Sequence, residues 1–205
     1  ELVAINDLGD AENLAYLLAY DTVYGRWKRA VRGEDGTLVV ETQRYPALRE
    51  RDPARLPWKA LGVDLVFECT GAFTREEDLA KHVAAGAKRV ILSAPSKSES
   101  VPTIVHGVTE PGGPTTLISC ASCTTNCIAP VVEITARRVG VAKAIMTTVH
   151  AYTASQAVVD SSHKNFRRGR AAGANLVPTS TGAALATIKT LPQLQGRFDG
   201  VAVRA

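Results

Sequence analysis

Cys120, Cys123 and Cys127 stand within the nine residues SCASCTTNC, 119 to 127, among Ser119, Ser122, Thr124, Thr125 and Asn126. A metal site, a disulfide framework and a reactive nucleophile with inert neighbours all begin from clusters of this kind. A zinc site needs four ligands at suitable spacing. No second CxxC follows, so a fourth ligand would have to come from elsewhere, and no metal is expected. Neighbours on one regular helix face are poorly placed for disulfide geometry. The nucleophile reading carries a mechanism. Cys123 follows a predicted strand and opens a predicted helix, where unpaired backbone N–H groups and the helix dipole favour a thiolate. Cys127, one turn deeper, is expected to be buried and inert. The same helix start can hold an anion. A cysteine nucleophile needs a histidine base. Of His82, His106, His150 and His163, only His150 stands at a predicted strand end in the second half, within TTVHAYT. On the residues alone, a structural role for that histidine is the more frequent one.

The elements that must position these groups alternate. ELVAI reads as a buried strand, and Asp10 caps a predicted helix over AENLAYLLAY, with Leu14, Leu17 and Leu18 at helical spacing. TLVVETQ reads as an edge strand or hairpin arm, and VDLVFECTG as a buried strand. REEDLAKHVAAG is a helix with early acids and a terminal glycine. KRVILSAP, PTIVHGV and TTLISC read as three more strands. Such β-α-β alternation marks an open parallel sheet, whose ligands bind beyond the carboxyl ends of the strands. Asn6-Asp7, Thr70-Gly71 and Ser93-Ala94-Pro95 fall there. An acid such as Asp7 at a strand end suits a ribose hydroxyl of a dinucleotide, or simply starts a turn. The glycine motif that partners such an acid would lie upstream of the seven residues preceding Leu8. From residue 123 the pattern changes: a long helix over TTNCIAPVVEITARRVG, a strand over KAIMTTVHAYT, and a basic loop from about 154 to 175. A helix over TSTGAALATIKTL and a strand over GVAVRA follow. The domain boundary is placed just before Cys123, giving residues 1–122 and 123–205.

The 205 residues suffice for one large domain or two modest ones, with a core that needs no staples. A charge of +4 suits anionic small molecules, and no basic run interleaved with aromatics argues for nucleic acid. No apolar stretch is long enough to span a bilayer, and no signal peptide opens the chain. Three clustered cysteines and a distant Cys69 point to a reducing, cytoplasmic compartment rather than a secreted framework. ELVAIND begins inside a predicted strand and VAVRA ends inside another, so a piece of a longer protein is expected.

ASCTTNC, TTVHAYTA and PTSTGAA, with VAINDL, CTGAF, SAPSK and RRGRAA in the same order, closely resemble the phosphorylating glyceraldehyde-3-phosphate dehydrogenases. The resemblance covers essentially the whole chain. It implies an α/β fold: a Rossmann-like dinucleotide-binding domain lacking its first strand and glycine motif, plus part of an α+β catalytic domain. It implies Cys123 as nucleophile and His150 as base. It assigns Thr153 and Arg204 to the substrate's phosphate, and Ser122, Thr124, Arg168, Thr181 and Gly182 to attacking inorganic phosphate. Asp7 matches the residue that bonds the adenosine ribose, and Asn6, Arg51, Thr70, Gly71, Phe73 and Ser93 match other cofactor positions. The implied cofactor is NAD, with NADP possible. The implied partners are glyceraldehyde 3-phosphate and phosphate, with a homotetramer in which the basic S-loop packs near a neighbour's cofactor. Three departures stand out. Cys69 replaces a frequent serine, Gly9 follows Asp7-Leu8, and Ser161-Ser162 replace a Leu-Pro pair of NAD-specific members. Ser162 resembles NADP-accepting members, whereas Leu8 resembles NAD-specific ones. A sister enzyme acting on erythrose 4-phosphate and a truncated, non-catalytic interaction fragment are the competing readings.

Overall fold

The structure, a computed structural model, describes residues 1–205. Its strands are β1 (Ile5–Asn6), β2 (Tyr20–Asp21), β3 (Gly25–Arg26), β4 (Val31–Glu34), β5 (Thr37–Val40), β6 (Gln43–Leu48), β7 (Leu65–Glu68), β8 (Arg89–Leu92), β9 (Leu117–Ser119), β10 (Ala144–His150), β11 (Val177–Thr179) and β12 (Phe198–Arg204). Its α-helices are α1 (Ala11–Ala19), α2 (Glu76–Ala84), α3 (Cys123–Arg138) and α4 (Ala183–Thr190). Two compact units result: Glu1–Val66 with Glu77–Val90, and Phe67–Glu76 with Ile91–Ala205.

In the first unit, four strands lie in the order β1-β6-β5-β4, with β1 parallel to β6 and the other pairs antiparallel. The predicted strand ELVAI contributes only Ile5 and Asn6, because the ladder to β6 begins at Ile5, opposite Ala47. TLVVETQ forms a hairpin arm as expected, but β5 is interior, flanked by β4 and β6. Asp10 caps α1, its carboxylate accepting from the Asn13 N–H at 2.7 Å. The buried face of α1 is Ala11 and Ala15, whereas Leu17 and Leu18 of the predicted stripe are exposed. Small residues win because α1 lies directly on β4: a Cβ at Gly33 would stand 2.2 Å from the carbonyl carbon of Ala11. Ala15, Leu38 and Val40 form the local core with Ile5, Val31 and Tyr45. The β2–β3 hairpin went unanticipated; its turn is held by Asp21, which accepts from the Val23 and Tyr24 N–H groups.

Strands β7, β8 and β9 form a sheet in that order. PTIVHGV is not a strand. Only Thr103 bridges to Ser119, after which Val105 to Thr109 curls into a turn closed by Val105 O accepting from Val108 and Thr109 N–H. In the second unit the order is β10-β12-β11. β10 and β12 run parallel over seven pairs, from Ala144↔Phe198 to His150↔Arg204. α3 and α4 cover this sheet through Val132, Met146, Ala183, Ala184, Leu191, Leu194 and Phe198. No helix is long and apolar enough to cross a membrane.

Candidate active site

Ser122 caps α3, its hydroxyl accepting from the Thr125 N–H at 3.1 Å. Cys123 is therefore the first helical residue, as the sequence predicts. Its Sγ lies 3.2 Å from Nε2 of His150, the last residue of β10. His150 Nδ1 stands 2.6 Å from the carbonyl oxygen of Ala151. A carbonyl only accepts, so Nδ1 carries the proton and Nε2 of the neutral ring is the acceptor facing sulfur. The hydrogen bond from His150 holds the Cys123 thiol below its usual range, against a smaller opposing effect of burial; the Thr124 N–H adds to the lowering. The Ala151 carbonyl, then Cys123, raise the His150 imidazole, with burial and Arg204 opposing. The pair is poised toward thiolate and imidazolium. Burial, and secondarily Cys69, push the Cys120 thiol up. All four cysteines are free thiols, and no three His, Cys, Asp or Glu side chains gather as a metal-binding group. Cys127 is exposed, contrary to expectation: α3 buries Thr125, Ala129 and Val132 instead, and Cys127 lies off that face.

Two arginines flank the pair. Arg204 ends β12, opposite His150 in register, and donates from Nη1 to Thr153 Oγ1 at 3.0 Å and to Ala151 O at 3.4 Å. Its Nε is buried without a partner. Arg168, in the 3-10 turn Phe166–Gly169, donates from Nε and Nη2 to Thr179 Oγ1 at 3.0 and 2.9 Å, and from Nη1 to Ser155 Oγ at 3.4 Å. Thr153 and Ser155 hydroxyls are themselves 3.0 Å apart. Burial, then the charge of Arg168, lowers the proton affinity of Arg204. Neither arginine has a carboxylate partner. Two uncompensated guanidiniums beside hydroxyls constitute an anion-binding arrangement. Thr181 and Gly182 open α4, Gly182 as its N-cap and Thr181 accepting from the Ala183 N–H at 3.1 Å.

The sequence-predicted cofactor residues fall into two groups. In the first unit, Asp7 is exposed and its Oδ1 accepts from the Gly9 N–H at 2.8 Å. Asn6 spends both ends of its amide on Glu50, donating to O at 3.0 Å and accepting from N at 2.9 Å. Arg51 is exposed beyond β6. In the second unit, Gly71 takes φ +71°, and Phe73 is half-buried. Thr70 gives its N–H to the Glu68 carboxylate at 2.7 Å and its hydroxyl to the same oxygen. Ser93 is exposed, and its N–H donates to Glu68 O at 3.0 Å.

Sequence reasoning missed Glu68, Asn126, Ser155 and Thr179, and the Ala151 carbonyl. Thr179 lies inside PTSTGAA and was legible as a hydroxyl beside an assigned one. A backbone carbonyl carries no residue signal.

A cysteine and a histidine in hydrogen-bond contact at a helix start, with two arginines that lack carboxylate partners alongside, form a candidate nucleophile site beside an anion-binding arrangement. Residues 1–76 match the family model described as glyceraldehyde 3-phosphate dehydrogenase, NAD binding domain, and residues 122–205 match that of its C-terminal domain. Over this whole chain, glyceraldehyde-3-phosphate dehydrogenases are 50% identical in Streptomyces coelicolor and 48% identical in Geobacillus stearothermophilus and Serratia odorifera. The chain spans 61%, 62% and 70% of those proteins. It belongs to the glyceraldehyde-3-phosphate dehydrogenase family.

Proposed function

We propose that the protein oxidises glyceraldehyde 3-phosphate to 1,3-bisphosphoglycerate, a glycolytic step, with residues 1–122 serving the cofactor and 123–205 the chemistry. The observation that carries this reading is the 3.2 Å approach of Cys123 Sγ to His150 Nε2 beside two uncompensated arginines. The thiolate adds to the aldehyde carbon and forms a hemithioacetal. Its alkoxide is met by the imidazolium and the Cys123 backbone N–H. His150, once neutral, takes the hydroxyl proton as the carbon loses hydride. NAD, when bound, supplies the acceptor for that hydride. The thioester left on Cys123 is attacked by a phosphate oxygen, which releases the acyl phosphate and restores the thiolate. Thr153 and Arg204 are assigned the substrate's phosphate. Ser122, Thr124, Arg168, Thr181 and Gly182 are assigned the attacking one. Ser122 Oγ already accepts from the Thr125 N–H and shares a 2.7 Å hydrogen bond with Thr125 Oγ1, so its hydroxyl hydrogen is free for a phosphate only where Thr125 is the donor in that pair.

The residues proposed to hold NAD are Asn6, Asp7, Arg51, Thr70, Gly71, Phe73 and Ser93. Asp7 fits: Gly9 orients its carboxylate through Oδ1, leaving Oδ2 as an acceptor for a ribose hydroxyl. Asn6, bonded to Glu50 at both ends of its amide, holds the strand end rather than offering its side chain. NAD is preferred with NADP tolerated, the protein is cytoplasmic, and the assembly is a homotetramer in which the loop from 154 to 175 meets a neighbour.

The test follows NADH formation by the whole protein with glyceraldehyde 3-phosphate and phosphate. Turnover that Cys123→Ala abolishes supports the reading. A faster reaction with erythrose 4-phosphate would replace the substrate, and an inert wild type would leave the non-catalytic fragment.

A further inference from the structure

Ala121 is 2% exposed and holds φ +59°, a left-handed backbone that β-carbon sterics disfavour. The other two non-glycine residues with positive φ, Asp35 and Glu41, lie in the hairpin turns joining β4 to β5 and β5 to β6. Ala121 instead lies between β9 and α3, two residues before Cys123. A strained residue persists only where its surroundings over-determine it, and here those surroundings are visible. The Ala121 N–H donates to Ser119 Oγ at 3.1 Å, and that hydroxyl donates to Ala94 O at 2.7 Å. The carbonyls on either side of Ala121 converge on a single nitrogen. Asn126 Nδ2 donates to Cys120 O at 2.6 Å and to Ser122 O at 2.9 Å. An amide nitrogen has two hydrogens, so both are consumed, and two acceptors on one side fix which way the amide faces.

We infer that Asn126 is a positioning residue for Cys123: its amide staples the left-handed turn that aims Sγ at His150. The residue type follows from the geometry. An aspartate at 126 would oppose a carboxylate to two carbonyl oxygens, and an alanine would leave both carbonyls without this donor. Either change lets Ala121 relax toward negative φ, which rotates the peptides leading into α3 and carries Sγ away from Nε2. A glycine at 121 adopts positive φ without the steric cost, so it makes the staple dispensable. The inference rests on Cys123 being the reactive thiol.

The experiment is the rate of Cys123 alkylation by iodoacetamide against pH, in the whole protein, for wild type, Asn126→Ala, Asn126→Asp and Asn126→Ala with Ala121→Gly. Both single variants should be slowed about tenfold near neutral pH, as a one-unit rise in the alkylation midpoint requires. The double variant should return to the wild-type profile. A contribution to stability alone would lower the melting temperature and leave the profile in place, and that result overturns the inference. If Asn126→Ala does not fold, the double variant decides: folded with the wild-type profile supports the staple, and unfolded or still slow overturns it. A wild type whose Cys123 is not preferentially alkylated instead removes the nucleophile reading on which the inference stands.

Discussion

His150 Nδ1 and the carbonyl oxygen of Ala151 are 2.6 Å apart, and this contact with the adjacent residue sets the acid–base role of the ring. It holds Nε2 toward sulfur as an acceptor. The lowered thiol pKa means that the thiolate forms at lower pH than in an ordinary cysteine, with the His150 hydrogen bond as the first cause. Removing the imidazole must therefore move the alkylation profile of Cys123 to higher pH. We expect His150→Asn to do so and to slow acylation by roughly a hundredfold or more. An unshifted profile assigns the histidine to structure alone.

The cysteines should label in order. Cys123 reacts first at neutral pH. Cys127 is exposed, so burial does not protect it, and it should react behind Cys123 but measurably. Cys120, raised by burial, should react last. Peptide mapping of a timed iodoacetamide reaction gives the order directly, and Cys127 labelling ahead of Cys123 refutes it. Cys127→Ser should retain most activity.

Arg204 is fastened to Thr153, and Arg168 to Thr179 and Ser155. Arg204→Ala should chiefly raise KM for the phosphorylated aldehyde. Arg168→Ala should chiefly slow acyl-phosphate formation at limiting phosphate, and Thr179→Val should do the same more weakly by loosening the guanidinium. Equal effects on one constant would merge the two sites.

In the proposed cofactor site Asp7 is expected to favour NAD, because a carboxylate accepts from a ribose 2′-hydroxyl and repels a 2′-phosphate. Asp7→Ala should raise the ratio of kcat/KM for NADP to that for NAD. Ser162→Pro should lower it by removing a hydroxyl from the loop proposed to reach a neighbouring subunit. A wild type that prefers NADP refutes the ranking, and a ratio unmoved by Ser162→Pro removes that residue.

Gly33→Ala tests the packing of α1 on β4. The new Cβ would meet the Ala11 carbonyl carbon at 2.2 Å and the Glu12 nitrogen at 2.3 Å, both backbone atoms with little freedom to move. We expect a loss of about 2–3 kcal/mol, on the scale of overpacked cores, read as a lower denaturant midpoint. An unchanged midpoint would mean that the helix shifts at no cost.

Helices were the most legible part of the fold: Asp10 announces α1 by capping chemistry written in its side chain, whereas the Ser122 cap of α3 emerged only from the structure. Apolar content was a poorer guide. Leu17 and Leu18 looked like a core stripe, yet close helix–sheet approach selects Ala11 and Ala15. PTIVHGV has strand composition, but the Thr109 hydroxyl accepts from the Val105 N–H at 2.8 Å and helps to close a turn there. At the site, Cys123, His150 and the two arginines were legible as reactive or charged types in recognisable motifs. Asn126 was not, because its part depends on the backbone angle of Ala121, which no residue type reveals.

His150 and Arg204 are register partners at the ends of two parallel strands. Strands in a sheet lie about 4.8 Å apart, so main-chain pairing works as a ruler between the imidazole and the guanidinium. A one-residue slip would send one of the two side chains to the opposite face. The seven-pair ladder therefore carries chemical tolerance as well as stability. Substitutions that merely soften β12 would disturb the spacing of His150 and Arg204 before they unfold the protein.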